Sequence, residues 1–243
     1  PEYKSLRTKI ANYAGVKKSQ IMLTNGSDQA IDLIFRTFTQ KGDKTVIPSP
    51  SFTMFYQYAK IAGNKIVKTS YEKSEIISSI QDDTKLVVIC NPNNPTGKVF
   101  GLEDLEKIIK KAMEVKAIIF VDEAYFEFSK ITSVKLLDKY QNLIITRTFS
   151  KAFGLASLRI GYAISSEENI KKMLKIRGPY DINMLAVVAA KEALEDKKAL
   201  NRYVEEVMKK AKPMVENFLT EISIDFYPSR ANFIFLKVAN PFK

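Results

Sequence analysis

The chain of 243 residues contains no histidine and a single cysteine, Cys90. Without histidine it can supply neither a His-based nucleophile triad nor a His-ligated metal site. With one thiol it can form no intramolecular disulfide, which fits a reducing compartment. No apolar run approaches the roughly 20 residues of a membrane-spanning helix, and the opening PEYKSLRTKI lacks the hydrophobic region of a signal peptide. No G-x-G-x-x-G follows the first predicted strand, which argues against a dinucleotide-binding oxidoreductase. Internal repeats and low-complexity linkers are also missing. The expectation is a cytoplasmic protein with no membrane partner.

What is present is ordinary globular material, 46% hydrophobic and 27% charged, enough for a sizeable core. Lys and Arg number 38 against 27 Asp and Glu, a formal charge of +11, which attracts anions from nucleic acid to phosphorylated metabolites. The basic residues are interleaved with acids along amphipathic stretches such as LEDLEKIIKKAMEVK (102–116) and LNRYVEEVMKKAKPMVENFL (200–219). They read as solvated helix faces rather than a basic arm, so no nucleic-acid partner is expected.

Short β-rich runs predict strands at 20–24, 44–49, 64–70, 84–91, 117–124, 143–149 and 160–166, with helices near 27–39, 52–62, 102–115 and 134–140. Strands that are nearly continuous Val, Ile, Leu and Phe suit a sheet covered on both faces. The fold class is therefore α/β with a mainly parallel seven-stranded sheet. After about residue 167 the pattern turns to helices, EENIKKMLKI, NMLAVVAAKEAL and the long stretch at 200–219, followed by the short strands IDFYPS and ANFIFLKV. This predicts a large domain over 1–200, then over 201–243 a connecting long helix and the beginning of a smaller α+β domain.

Ligands of open α/β sheets bind beyond the carboxyl ends of the strands. After QIMLT comes NGSDQAIDLIF, where Ser27 and Asp28 open a helix whose free N–H groups suit a phosphate; an ordinary Ser/Asp N-cap is the alternative. After LVVIC comes NPNNPTGKV, a rigid polar loop able to present the Asn94 amide to a ligand oxygen. After AIIFV comes DEAYFEF, in which Asp122 ends an apolar strand. A carboxylate there needs a cation or hydrogen-bond donor, or it takes up a proton; capping and ion pairing are the structural alternatives. The segment TRTFSKAFGLASLRIGY holds Lys151 among Phe149, Ser150, Ala152, Phe153 and Gly154, which suggests a partly buried, nucleophilic amine suited to carbonyl chemistry. Arg159, eight positions on, could fork a phosphate.

In this order the segments NGSD, PSPSF, NPNNPTG, VDEAYFEF and TFSKAFGLASLRIGY resemble the pyridoxal-phosphate-dependent aminotransferases of fold type I, and most closely the histidinol-phosphate type. The likeness runs through PYDINMLAVVAAKEAL to PSRANFIFLK. It implies that Lys151 binds the cofactor covalently and moves protons, that Asp122 pairs with the pyridine nitrogen, and that Asn94 and Tyr125 bond the phenolic oxygen. It further implies that Phe52 stacks on the ring and that Ser27, Asp28, Thr148, Ser150 and Arg159 surround the phosphate. Small-molecule substrates follow: a phosphorylated amine or amino acid, with 2-oxoglutarate and glutamate as the other pair. An aromatic or other small phosphorylated amino substrate, a threonine-phosphate-type decarboxylase and a non-catalytic basic nucleic-acid-binding protein are the alternatives. Phe52 departs from a position often filled by tyrosine. The likeness also makes Pro1-Glu2 the tail of the family's Y-P-E segment, whose tyrosine reaches the partner subunit's cofactor phosphate, so a homodimer with shared sites is expected. The part carrying the family's substrate-binding arginine is expected beyond residue 243.

Overall fold

Seven apolar runs form strands close to their expected places: β1 (Ile21–Thr24), β2 (Lys44–Pro48), β3 (Lys65–Thr69), β4 (Thr84–Cys90), β5 (Ile118–Asp122), β6 (Leu143–Thr148) and β7 (Gly161–Ser165). In the computed structural model, which describes residues 3–238, they make one sheet in the order β1-β7-β6-β5-β4-β2-β3. β7 runs antiparallel to both its neighbours, and the remaining pairings are parallel. Pro1-Glu2 lie outside the described residues.

Because side chains alternate across a strand, each strand feeds two cores. One face carries Val87, Ile89, Ile119, Val121, Leu143 and Ile145, covered by α1 (Tyr3–Ala14), α4 (Lys73–Ser79), α5 (Leu102–Glu114) and α8 (Met184–Glu195). The other carries Leu86, Val88, Phe120 and Ile144, covered by α2 (Gly26–Phe38), α3 (Thr53–Ile61) and α7 (Glu167–Leu174). Each large aliphatic or aromatic side chain buried this way contributes on the order of 1.5–3 kcal/mol. A sheet so covered is rigid, and it fixes the strand ends that carry polar residues.

Three expectations about helices need correction. The stretch 134–140 is only a 3₁₀ turn at Val134–Leu136, because Leu136, Leu137 and Tyr140 are all drawn into the core and Glu123 takes the amide and hydroxyl of Ser133. Helices α1 and α4 were not anticipated; α4 has seven residues with only Ile76 buried, so it carries almost no periodic signal. The long helix at 200–219 starts earlier and is interrupted. It runs as α9 (Lys197–Glu206), a π turn at Val207–Ala211 and α10 (Lys212–Glu221). Pro213 has no N–H for the carbonyl of Lys209, and the wider turn absorbs that missing bond.

The chain then forms a two-stranded antiparallel hairpin, β8 (Phe226–Tyr227) with β9 (Phe235–Leu236). A third apolar cluster joins this part to the large sheet unit: Leu200, Val204 and Ala231 pack with Tyr125, Phe128 and Ala152. The Arg230 amide donates to the Gly97 carbonyl at 2.9 Å, so the hairpin docks on the NPTG loop. Among the described residues, no helix is long and apolar enough to cross a membrane.

Candidate active site

The carboxyl ends of β4, β5 and β6, the N-terminus of α2 and the turn after β6 converge on one open cavity of about 130 Å³. All ten residues singled out in the sequence line it.

Asp122 is the last residue of β5 and is buried, with Thr146 Oγ1 donating to its Oδ1 at 2.8 Å. Burial pushes its carboxyl up to about 6, against the opposing effect of the Thr146 hydrogen bond. Among the described residues no cation pairs with it. A cationic N–H presented in the cavity would remove the penalty.

Beside it, the Asn94 amide donates to Tyr125 Oη at 3.2 Å. Burial raises the Tyr125 phenol to about 12, so it stays protonated and able to donate. Phe52 brings an aromatic ring to the same cavity and is braced edge-on by Phe55, itself braced by Phe120.

At the far end stands α2. It begins at Gly26 with Asn25 as the preceding residue and has no side-chain cap bond, so the expected alternative of a Ser27 or Asp28 N-cap does not hold. The Gly26 amide donates to the Arg159 carbonyl at 3.0 Å, and the Arg159 guanidinium donates to Asp28 at 2.7 Å. Arg159 thus stands at the open end of a helix dipole, a place that favours an anion. Thr148 and Ser150 complete this side, the Ser150 amide donating to Thr148 Oγ1 at 3.0 Å.

Lys151 requires a correction. Its flanking residues suggest a partly buried amine, yet the residue is exposed. Phe149 and Ala152 are buried, but they pack into two separate apolar clusters rather than around the amine. The lysine instead reaches over the cavity, with Nζ 5.4 Å from the centre of the Tyr125 ring.

Sequence reasoning missed Cys90, Ala124 and Thr146. Cys90 ends β4 in register with Asp122, so the strand-end rule could have found it. Burial pushes its thiol well up, and it donates to the Pro92 carbonyl at 3.2 Å, which leaves it unreactive. Nothing in the local sequence marks Thr146 as the partner of Asp122, because that pairing is made between strands.

Together the groups fit pyridoxal phosphate: an uncompensated buried carboxylate for a pyridinium nitrogen, an amide and a phenol for the ring oxygen, an uncapped helix start with an arginine for the phosphate, and an amine for the aldehyde.

The chain matches the family described as aminotransferase class I and II over residues 1–242. It is 40% identical to the histidinol-phosphate aminotransferase of Thermoanaerobacter pseudethanolicus, over 98% of this chain and 68% of that protein. The enzyme of the same name from Caldanaerobacter subterraneus is also 40% identical, over 99% and 69%. Among solved structures, the histidinol-phosphate aminotransferase of Clostridium acetobutylicum superposes with a TM-score of 0.90 at 30% identity, over 98% of this chain and 73% of that one. The Sinorhizobium meliloti enzyme, solved with pyridoxal-5'-phosphate, shares the fold with a TM-score of 0.93 at 24% identity, over 99% and 67%.

Proposed function

The chain belongs to the aminotransferase class I and II family, and from that premise we propose that it transfers the amino group of histidinol phosphate to 2-oxoglutarate, giving imidazole acetol phosphate and glutamate. It is a pyridoxal-phosphate-dependent aminotransferase. When bound, the cofactor supplies an aldehyde that exchanges for an amine and a ring that accepts electron density from the substrate carbon.

The protein's own side chains do the rest. Asp122 holds a proton on the ring nitrogen, which is why its carboxylate is kept buried without a cation of its own. Asn94 and Tyr125 orient the ring oxygen, and Phe52 covers a face of the ring. Arg159, the α2 N-terminus, Thr148 and Ser150 bind the phosphate. Lys151 Nζ would hold the cofactor's aldehyde and, as a free amine, would take a proton from the substrate Cα and return it. The observation that carries this reading is the meeting of a buried, unpaired Asp122 with the Lys151 amine in one cavity.

The proposal extends to organisation. Residues 1–200 form the cofactor-binding unit, and 201–243 form the connecting long helix and the start of a smaller domain. Two copies form a homodimer with shared sites, supported by the apolar face that Leu185 (75% exposed) and Val188 present on α8 beside the exposed Tyr180. The lone thiol of Cys90 supports a cytoplasmic location.

The test is a visible spectrum of the protein with pyridoxal phosphate, followed by titration with histidinol phosphate and assay of glutamate formed from 2-oxoglutarate. Turnover of histidinol phosphate well above that of phenylalanine or tyrosine supports the reading. Preference for an aromatic amino acid, or release of carbon dioxide from threonine phosphate, would replace it.

A further inference from the structure

Directly across the sheet from the cavity lies a buried ionic cluster that the proposed chemistry does not use. We propose that Arg147 is a positioning residue for the cofactor site, holding Asp122, Tyr125, Thr146 and Thr148 in orientation from the opposite face of the sheet. The inference rests on the cofactor site argued above.

Arg147 sits on β6 between Thr146 and Thr148, both of which face the cavity side, and alternation along the strand sends its side chain the other way. The side chain is 2% exposed. Its Nε and Nη2 donate to Glu123 Oε2 at 3.0 and 2.9 Å, and Nη2 also donates to Thr132 Oγ1 at 2.7 Å. The guanidinium carbon lies 3.7 Å from the centre of the Phe126 ring. Glu123 follows Asp122 in the chain, and Phe126 follows Tyr125. One rigid planar group, flanked in its own strand by Thr146 and Thr148, therefore grips the immediate chain neighbours of Asp122 and Tyr125, which come from a different segment.

The remaining partners make the grip unambiguous. Glu123 also accepts from the Ser133 amide at 2.6 Å, from Ser133 Oγ at 2.9 Å and from Thr132 Oγ1 at 2.9 Å. Glu127 on α6 (Phe126–Ser129), whose Oε1 accepts from Tyr13 at 3.2 Å, adds a second carboxylate near the same cation. Burial by itself lowers the guanidinium's proton affinity, but Glu123 reverses this and holds the charge. A buried ion pair is a poor source of stability compared with apolar residues of the same size. What it supplies here is direction: the fork and the stacked ring allow one orientation of the 122–126 turn relative to β6.

The test combines Arg147→Met with Glu123→Gln, which removes the guanidinium without leaving its hydrogen-bonded partner Glu123 charged and keeps an acceptor for Ser133. The double variant is expected to fold, by circular dichroism, yet to bind pyridoxal phosphate at least tenfold more weakly. The pH at which the bound cofactor's absorption titrates is expected to shift, since Asp122 is no longer held. A Kd and an absorption titration equal to those of the parent would overturn the inference and leave a purely structural pair. If the double variant does not fold, Arg147→Lys decides by the same two readouts, because it keeps the charge and loses the fork. A parent protein that binds no pyridoxal phosphate would instead refute the cofactor site itself.

Discussion

The backbone of Gly161 lies against the backbone amide of Ser27: a Cβ on Gly161 would stand 2.7 Å from the Ser27 nitrogen and 2.8 Å from the Gly26 carbonyl carbon. The first residue of β7 is thus pressed onto the start of α2, where the phosphate is proposed to bind. Gly161→Ala must push that helix start away, because backbone atoms on both sides leave no flexible side chain to yield. The expected loss is about 1–3 kcal/mol of stability, together with at least a tenfold weaker Kd for pyridoxal phosphate. Thermal melting and cofactor titration check the two effects; an unchanged Kd would show that the helix start is not the phosphate site.

Asp122 gives a pH prediction of unusual sign. Its folded pKa, about 6, lies above the ordinary carboxyl value. The folded state therefore takes up this proton more readily than the unfolded chain, and cofactor-free protein gains stability as pH falls from above 6 toward 4. A raise of this size corresponds to about 3 kcal/mol at pH 8. Asp122→Asn should raise the melting temperature of the cofactor-free protein at pH 8 and flatten its pH dependence relative to the parent. The same variant should lose at least about 100-fold in kcat. Parallel pH–stability curves for parent and variant would contradict the burial argument.

Lys151 is exposed, its Nζ lying over the Tyr125 ring rather than in an apolar core. Lys151→Ala is accordingly expected to melt within a few degrees of the parent while turnover falls by at least about 10²–10⁴-fold. Borohydride treatment of the parent with pyridoxal phosphate should attach the cofactor to Lys151, as read by peptide mass. Attachment to another lysine would reassign the catalytic amine.

The proposed homodimer makes Leu185 and Val188 contact residues. Leu185→Asp should weaken association by roughly 30-fold, the effect of removing a central apolar anchor, and sedimentation at micromolar concentration should then show monomer. Dilution of the parent should release pyridoxal phosphate and activity together. Full activity in a monomeric species would mean that each subunit builds its site alone.

Much of this was legible along the chain because the information is local. A strand that must be apolar on both faces announces itself as a continuous run, and the residue that ends it, Asp122 on β5 or Thr148 on β6, falls at the rim where ligands bind. The order of such rims is a property of sequence alone, and it carried the family likeness. The interruption of the long helix was not read from the sequence: the amphipathic period runs through Pro213, and the π turn ahead of it is a local response to the missing N–H.

The tertiary structure decided whatever depends on which strands become neighbours. That Thr146 donates to Asp122, that Cys90 stands level with it, and that Arg147 turns its back on the cavity to hold Glu123 and Phe126 are consequences of the β4-β5-β6 register. Spacing in the chain cannot encode that register, because residues 24 positions apart are brought together only by lateral hydrogen bonding between strands. The exposure of Lys151 was decided in the same way. Adjacent apolar side chains bury themselves in whichever core the fold offers, and here the cores lie away from the amine, leaving it free over the cavity.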